Sequence, residues 1–200
     1  KEKVLVIYTP AIPKDSQELN WLADQGYTLI KRSQALGIIT SQSKSIAVAG
    51  THGKTTTSSM IAHLLMHSGK GCNAFLGGIA TNYGTNLLLD KNAEWTVVEA
   101  DEYDRSFLTL SPTISVITST DADHLDIYGS HEYMKESFNL FAQKLGDGGL
   151  LIYRKDLPIV VSALPEGVES VDYSGSVQAG HFAANIQIKD GRYYFDYHSQ

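Results

Sequence analysis

The sequence predicts an α/β fold, a mostly parallel sheet flanked by helices, with a small antiparallel β appendage towards its end. Three observations carry that expectation. The runs Trp95 to Ala100 (WTVVEA) and Thr113 to Thr118 (TISVIT) are almost continuously apolar, as strands buried on both faces of a parallel sheet require. They alternate with stretches whose apolar residues recur at helical spacing, the pattern of strand-helix-strand units. Further on, Ala184 to Lys189 and Arg192 to Tyr197 alternate apolar and polar residues around Asp190-Gly191, a dipeptide that tolerates positive φ and favours a tight hairpin.

In chain order, Lys3 to Thr9 (KVLVIYT) is an apolar strand, entered directly from Lys1 without an initiator Met, as in a piece excised from a longer chain. The loop AIPKDS follows. Ser16 can cap a helix from about Gln17 to Asp24, with Leu19, Leu22 and Ala23 on one face. Gly26 stops it. Tyr27 to Lys31 reads as a short strand and Ser33 to Ile39 as a short helix, too few elements to close a sheet alone. The polar stretch Thr40 to Lys44 has no apolar period, so the junction between two domains is expected there, dividing residues 1–43 from 44–200. Ser45 to Ala49 is the next strand, followed by a Gly-containing loop and a helix from Thr55 to His67. Its Met60, Ile61, Leu64 and Leu65 are expected to face inward. Beyond the two buried strands, His131 to Leu145 is a helix offering Tyr133, Phe138, Phe141 and Leu145 to the core. Gly149 to Tyr153 is a further strand, and the parallel pattern is expected to stop near it.

Composition narrows the function classes. Of 200 residues, 42% are hydrophobic and 19% charged, and no apolar run approaches the roughly 20 residues that span a bilayer, so a membrane protein is not expected. The net charge of −6 is spread along the chain without a Lys/Arg stripe, which argues against nucleic acid as partner. An anionic ligand must therefore be held locally. Cys72 is the only cysteine, which excludes an intrachain disulfide and fits a reducing compartment. With no secretory-type leader in these residues, the cytoplasm is the expected location.

The local anion site is the loop Gly50-Thr51-His52-Gly53-Lys54-Thr55, set between a strand and a helix. Backbone N–H groups at a helix N-terminus face the ligand, the helix dipole favours negative charge, and glycines allow close approach. Lys54 is placed to meet β- and γ-phosphates and the Thr55 hydroxyl to ligate Mg²⁺. The usual P-loop pattern has a further glycine where this chain has Val48, so the loop is a variant. A second cluster, Glu99-Ala100-Asp101-Glu102-Tyr103-Asp104, follows the buried strand, and ligands of open α/β sheets bind beyond the carboxyl ends of strands. Glu99, nearest the strand, is the expected Mg²⁺ ligand, with Asp101 facing the same way if the strand continued. Third, Thr120-Asp121-Ala122-Asp123-His124-Leu125-Asp126 follows the next strand. His124 is a competent metal ligand or phosphate donor, with Asp123 and Asp126 available to orient it. His63, His67, His131, His181 and His198 have no comparable setting and read as surface or packing residues.

Together AVAGTHGKTTT, VVEADEYDRSF and DADHLDIY resemble the Mur ligases of peptidoglycan synthesis. Their wording is similar to the branch that joins L-alanine to UDP-N-acetylmuramate. The resemblance covers most of Lys1 to Leu145. It implies a P-loop NTPase-like central domain, preceded over residues 1–43 by the C-terminal part of a Rossmann-like domain for the UDP substrate. It also implies ATP and Mg²⁺ as cofactors, and UDP-N-acetylmuramate and L-alanine as substrates. In such enzymes ATP phosphorylates the substrate carboxylate, and the amine of the amino acid attacks the acyl phosphate. Residue by residue, the resemblance implies ATP contacts from Gly50, Thr51, His52, Gly53, Lys54, Thr55 and Thr56. It places Mg²⁺ on Thr55 and Glu99, puts His124 at a second metal or the transferring phosphoryl group, and makes Lys54 and His124 catalytic. Several members carry a carbamylated lysine where this chain reads Phe138-Asn139, an absence that fits the alanine-adding branch. The family's upstream UDP loop, its adenine motif and its C-terminal ligase domain are not in these residues. The 200 residues alone are expected to bind nucleotide weakly and not to form the amide bond at a useful rate.

Two other readings compete. A recycling ligase that attaches a tripeptide to UDP-N-acetylmuramate shares GTHGKTTT and EADEYD. A P-loop regulatory module would need switch loops ordered by nucleotide, and would hydrolyse nucleotide without any acceptor.

Overall fold

In the computed structural model, which describes residues 4–121 and 130–199, the first elements form a unit of their own. β1 (Leu5–Tyr8) and β2 (Thr28–Lys31) are a parallel pair connected through α1 (Gln17–Asp24), whose first turn is capped by the Ser16 hydroxyl accepting from the Leu19 N–H at 3.4 Å. α2 (Arg32–Thr40) follows and turns into β3 (Lys44–Ala49). The junction is tightly held. Thr40 is buried and donates to the Leu36 carbonyl at 2.9 Å, and the Ser43 and Thr96 hydroxyls meet at 2.7 Å.

All other strands belong to one nine-stranded sheet. After β3 come α3 (Lys54–His67), β4 (Asn73–Ala80), β5 (Thr85–Leu88), β6 (Trp95–Glu99) and β7 (Ile114–Ile117). Then follow α4 (His131–Ala142), β8 (Leu150–Arg154), β9 (Glu169–Ser174), β10 (His181–Lys189) and β11 (Arg192–Ser199). The spatial order is β11-β10-β9-β8-β7-β3-β6-β4-β5. Pairing is parallel from β4 through β10, and antiparallel only for the edge strands β5 and β11. β3 lies between β6 and β7, which brings three carboxyl ends together on one rim.

The parallel pattern does not stop at Tyr153. β9 pairs with β8, and the start of β10 pairs with Tyr173 and Ser174 of β9, so the expected hairpin is an extension of the sheet. β9 (ESVDYS) escapes a hydrophobicity reading because it is only half-buried. The turn itself is as expected, with φ of 50° at Asp190 and 71° at Gly191.

The sheet is covered on both faces, which explains why β3 is apolar from Ile46 to Ala49. Ala47 and Ala49 face a core with Val98, Phe107, Ile117, Phe138, Phe141 and Leu151, while Ile46 and Val48 join Val116 against Ile61 and Leu65. Two helix readings need correction. On α3 the inward residues are Ser58, Ile61, Ala62 and Leu65, with Ser58 and Ala62 fully buried, whereas Met60 and Leu64 are 62% and 66% exposed. Small side chains at the contact let the helix lie close on the sheet, so the stripe is rotated from the one that hydrophobicity selects. On α4, Met134 takes the core position and Tyr133 is exposed. Phe138, Phe141 and Leu145 are buried as expected.

α2 packs against the turn that follows β6. A Cβ on Gly37 would come 2.5 Å from the Thr109 carbonyl oxygen, and the Thr109 hydroxyl donates to Ser33 O at 2.9 Å. Overpacking costs about 1–3 kcal/mol, while helix propensity favours Ala over Gly by about 1 kcal/mol. Gly37→Ala is therefore expected to lower the stability of the chain by roughly 1 kcal/mol in urea denaturation, and an increase would show that the helix is free to move away.

Candidate active site

The loop after β3 is shaped by two glycines. Gly50 has φ 138°, and a Cβ there would overlap the Thr118 hydroxyl and lie 2.9 Å from the Ser119 nitrogen. Gly53 begins α3 in the left-handed region at φ 83°, with no side chain capping the helix. The N–H groups of the first helical turn have no partners within the helix, an arrangement that suits an anion.

The loop is pinned to the end of β7. The Thr51 N–H donates to Ser119 O at 3.2 Å, the His52 N–H to Ser119 Oγ at 2.7 Å, and the Thr118 hydroxyl to His52 O at 2.5 Å. The Thr51 and Ser119 hydroxyls meet at 2.9 Å, and the Asp121 N–H donates to Thr51 Oγ1 at 3.1 Å. The sequence does not single out Thr118 and Ser119; its one signal for them is a pair of hydroxyl residues directly after a buried strand. The His52 ring reaches towards Asp121 at 3.8 Å and is exposed. Thr56 sits exposed in the first turn of α3.

Lys54 and Thr55 each meet a carboxylate, one just beyond β6 and the other at its last residue. The Thr55 hydroxyl donates to Glu99 Oε2 at 2.8 Å, and the Gly77 N–H donates to the same oxygen at 2.9 Å. This unites the two residues expected at Mg²⁺. Among the described residues there is no group of three or more His, Cys, Asp or Glu positioned around a metal. A hydroxyl with one carboxylate fits Mg²⁺, which keeps several waters and binds through one or two carboxylates together with substrate phosphates.

Lys54 Nζ donates to Gly50 O at 2.7 Å and lies 2.9 Å from both oxygens of Glu102. Glu102 is fully buried, which the sequence does not signal, since there it is one acid among several. Local backbone puts it there. β6 ends at Glu99, so Asp101 does not continue the strand face that Glu99 presents to Thr55. Instead Asp101 starts a 3₁₀ turn, Tyr103–Thr109, its carboxylate accepting from the Tyr103 N–H at 3.1 Å and its carbonyl from the Phe107 N–H at 2.9 Å. Asp104 and Arg105 adopt φ 52° and 53°, and Lys31 holds Asp104 at 3.0 Å, the carboxylate pushing the ammonium pKa upward. Phe107 anchors the turn between Phe138 and Phe141, at ring separations of 5.4 and 4.9 Å.

His124, with Asp123 and Asp126, lies outside the described residues. The other histidines have packing or surface roles where they are described. His131 bonds the Thr120 carbonyl at 2.7 Å, His63 bonds the Tyr83 hydroxyl at 2.9 Å and stacks on His67, and His181 bonds the Tyr197 hydroxyl. Cys72 is buried beneath α3, where burial pushes its thiol up to about 11. It is a packing residue.

Residues 48–199 match the family model described as the Mur ligase middle domain. The chain is 53% identical over 193 residues to the UDP-N-acetylmuramate--L-alanine ligase of Phocaeicola vulgatus, covering 96% of this chain and 42% of that protein. It thus spans about two-fifths of the length of the curated relatives it matches. Among solved structures, the UDP-N-acetylmuramate-alanine ligase of Thermotoga maritima superposes with a TM-score of 0.74 at 28% identity, over 90% of this chain and 40% of that one. The UDP-N-acetylmuramate:L-alanyl-gamma-D-glutamyl-meso-diaminopimelate ligase of Neisseria meningitides gives a TM-score of 0.81 at 21% identity, over 94% and 65%, a likeness of fold alone.

Proposed function

Because the chain belongs to the Mur ligase family, matching its middle domain over residues 48–199, we propose that it is the ATP-binding part of the ligase joining L-alanine to UDP-N-acetylmuramate. The observation that supports this most is the meeting of Lys54, Thr55, Glu99 and Glu102 at the carboxyl ends of β3 and β6. The reaction, carried over from the family, has two steps: the substrate carboxylate takes the γ-phosphoryl group and releases ADP, and the amine of L-alanine then displaces phosphate to leave the amide.

The chain's own contribution is to position and to neutralise. Gly50, Thr51, His52 and Gly53 shape the cradle, and the first-turn N–H groups of α3, from Lys54 through Thr56, hold phosphate oxygens. Lys54, steadied by Glu102, presents its ammonium to the transferring group, where phosphoryl transfer depends on charge neutralisation more than on covalent help. Thr55 and Glu99 hold Mg²⁺, whose charge offsets that of the phosphates. His124 is proposed to act at a second metal or on the phosphoryl group, since it follows Asp121 by three residues and Asp121 stands on this rim. Residues 1–43 are read as the end of a UDP-substrate domain, which the separate β1–β2 sheet supports. No described helix is long and apolar enough to cross a membrane, and the cytoplasm is the proposed location.

A tripeptide-adding recycling ligase is the second reading, since such a ligase shares GTHGKTTT and EADEYD. Phosphate release by the full-length protein, measured with UDP-N-acetylmuramate and a panel of L-alanine, glycine, L-serine and tripeptide, separates the two. L-alanine is expected to give the highest kcat/KM. A preference for tripeptide would replace the first reading with the second. Equal nucleotide hydrolysis without any acceptor would instead point to a regulatory module.

A further inference from the structure

We propose that Gly77 is a positioning residue for Glu99, its N–H and its missing side chain together setting the carboxylate where Thr55 shares it. This rests on reading Glu99 as the Mg²⁺ ligand. In the sequence, Gly77-Gly78 looks like a turn signal. It lies instead inside β4, and Gly77 is not among the residues with positive φ, so the backbone there does not call for glycine. Space does. A Cβ at Gly77 would stand 2.5 Å from both Cδ and Oε1 of Glu99, distances no real Cβ tolerates.

The strand explains how Gly77 arrives there. β4 is in register with β6 only as far as Phe75 opposite Val98, and its pairing with β5 shifts between Phe75 and Ala80. Past Phe75 the chain leaves its ladder with β6, and the Gly77 N–H is available to a side chain of that strand. The Gly77 N–H takes Glu99 Oε2 at 2.9 Å, the oxygen that also accepts from Thr55 at 2.8 Å. Two donors on one oxygen fix the rotation of the carboxylate. A backbone donor does so without the rotamer entropy a side chain would lose. Gly78 differs, because a Cβ there would meet Thr55 Cγ2 at 3.4 Å, ordinary contact.

The neighbouring glycines therefore form an internal control. Mn²⁺ binding to the full-length protein in the presence of ADP, read by electron paramagnetic resonance, is measured for Gly77→Ala, Gly78→Ala, Glu99→Gln and Gly77→Ala/Glu99→Gln, with a melting temperature for each. Residues that orient a metal ligand are worth about 10–100-fold in affinity. Gly77→Ala is expected to weaken Mn²⁺ by at least about tenfold on that scale, and Gly78→Ala by less than about threefold. The double variant should bind no worse than Glu99→Gln alone, since Gly77 acts through Glu99. Unchanged affinity in Glu99→Gln would overturn the metal reading itself. Loss in Glu99→Gln but not in Gly77→Ala would overturn only the role of Gly77, as would equal loss in both glycine variants or further loss in the double variant. If Gly77→Ala does not fold, Gly77→Ala/Glu99→Asp withdraws the carboxylate by one methylene and should restore folding with weak metal binding; failure to restore it overturns the proposal.

Discussion

Lys54→Met in the full-length protein is expected to lower ATP-dependent phosphate release by about 10²–10³-fold, the range for losing one preorganised donor to developing charge. The same substitution should also cost stability. Lys54 and Glu102 form an ion pair with both oxygens at 2.9 Å and side-chain exposures of 15% and 1%. Removing one member of such a buried pair costs about 3–5 kcal/mol. The cost is asymmetric. Glu102 is the more deeply buried partner, so taking away its cation costs more than the reverse change, which leaves Lys54 the Gly50 carbonyl at 2.7 Å and an edge open to water.

This asymmetry separates the two effects. Lys54→Met/Glu102→Gln removes both charges, and replacing a buried pair by neutral groups is often close to neutral. The double variant should recover most of the stability in urea denaturation while phosphate release stays as low as in Lys54→Met. Recovery of turnover along with stability would mean that Lys54 serves the fold and not the phosphates. A Lys54→Met variant as stable as the parent would mean that the pair is not closed in solution.

Phe138→Ala is expected to cost about 3–5 kcal/mol, the range for a buried Phe replaced by Ala. Phe138 is fully buried and meets Phe107 edge-on, with an interplanar angle of 88° and ring centroids 5.4 Å apart. The consequence reaches beyond the core. Phe107 closes the 3₁₀ turn that follows Glu102, so a cavity beside it loosens the segment that holds Lys54. Under conditions where the variant is still folded, ADP affinity in the full-length protein should fall measurably, since a positioning error is felt at the phosphate loop. Leu64→Ala on α3 makes a comparison, because its side chain is 66% exposed and its loss leaves no cavity. Equal destabilisation by the two variants would show that the packing described around Phe107 is not the source of the effect.

Legibility differed by element for physical reasons. Strands buried on both faces announce themselves, and β3, β6 and β7 were readable within about a residue of their ends. β4 and β5 are not legible in the sequence, because Gly77-Gly78 carries a turn signal although it lies inside β4, and β9 is too polar to stand out. Helix existence was legible and helix facing was only partly so. A hydrophobicity pattern rewards Met60 and Leu64, whereas a helix lying close on a sheet rewards Ser58 and Ala62.

The site divides the same way. Sequence alone determined the Gly-containing loop between β3 and α3, the nearness of a loop hydroxyl to an acid at the end of another buried strand, and the meeting of their elements on one rim. Those follow from local rules: glycines with positive φ, an uncapped helix start, and the carboxyl-end geometry of parallel sheets. Only the tertiary structure decided which acid serves which partner. Glu99 meets Thr55 and Gly77, Glu102 meets Lys54, Asp101 closes a turn and Asp104 pairs with Lys31. In sequence these acids differ only in position. Their roles separate where the strand ends and a turn with two left-handed residues begins, because from there each carboxylate points wherever the backbone's next dihedral sends it.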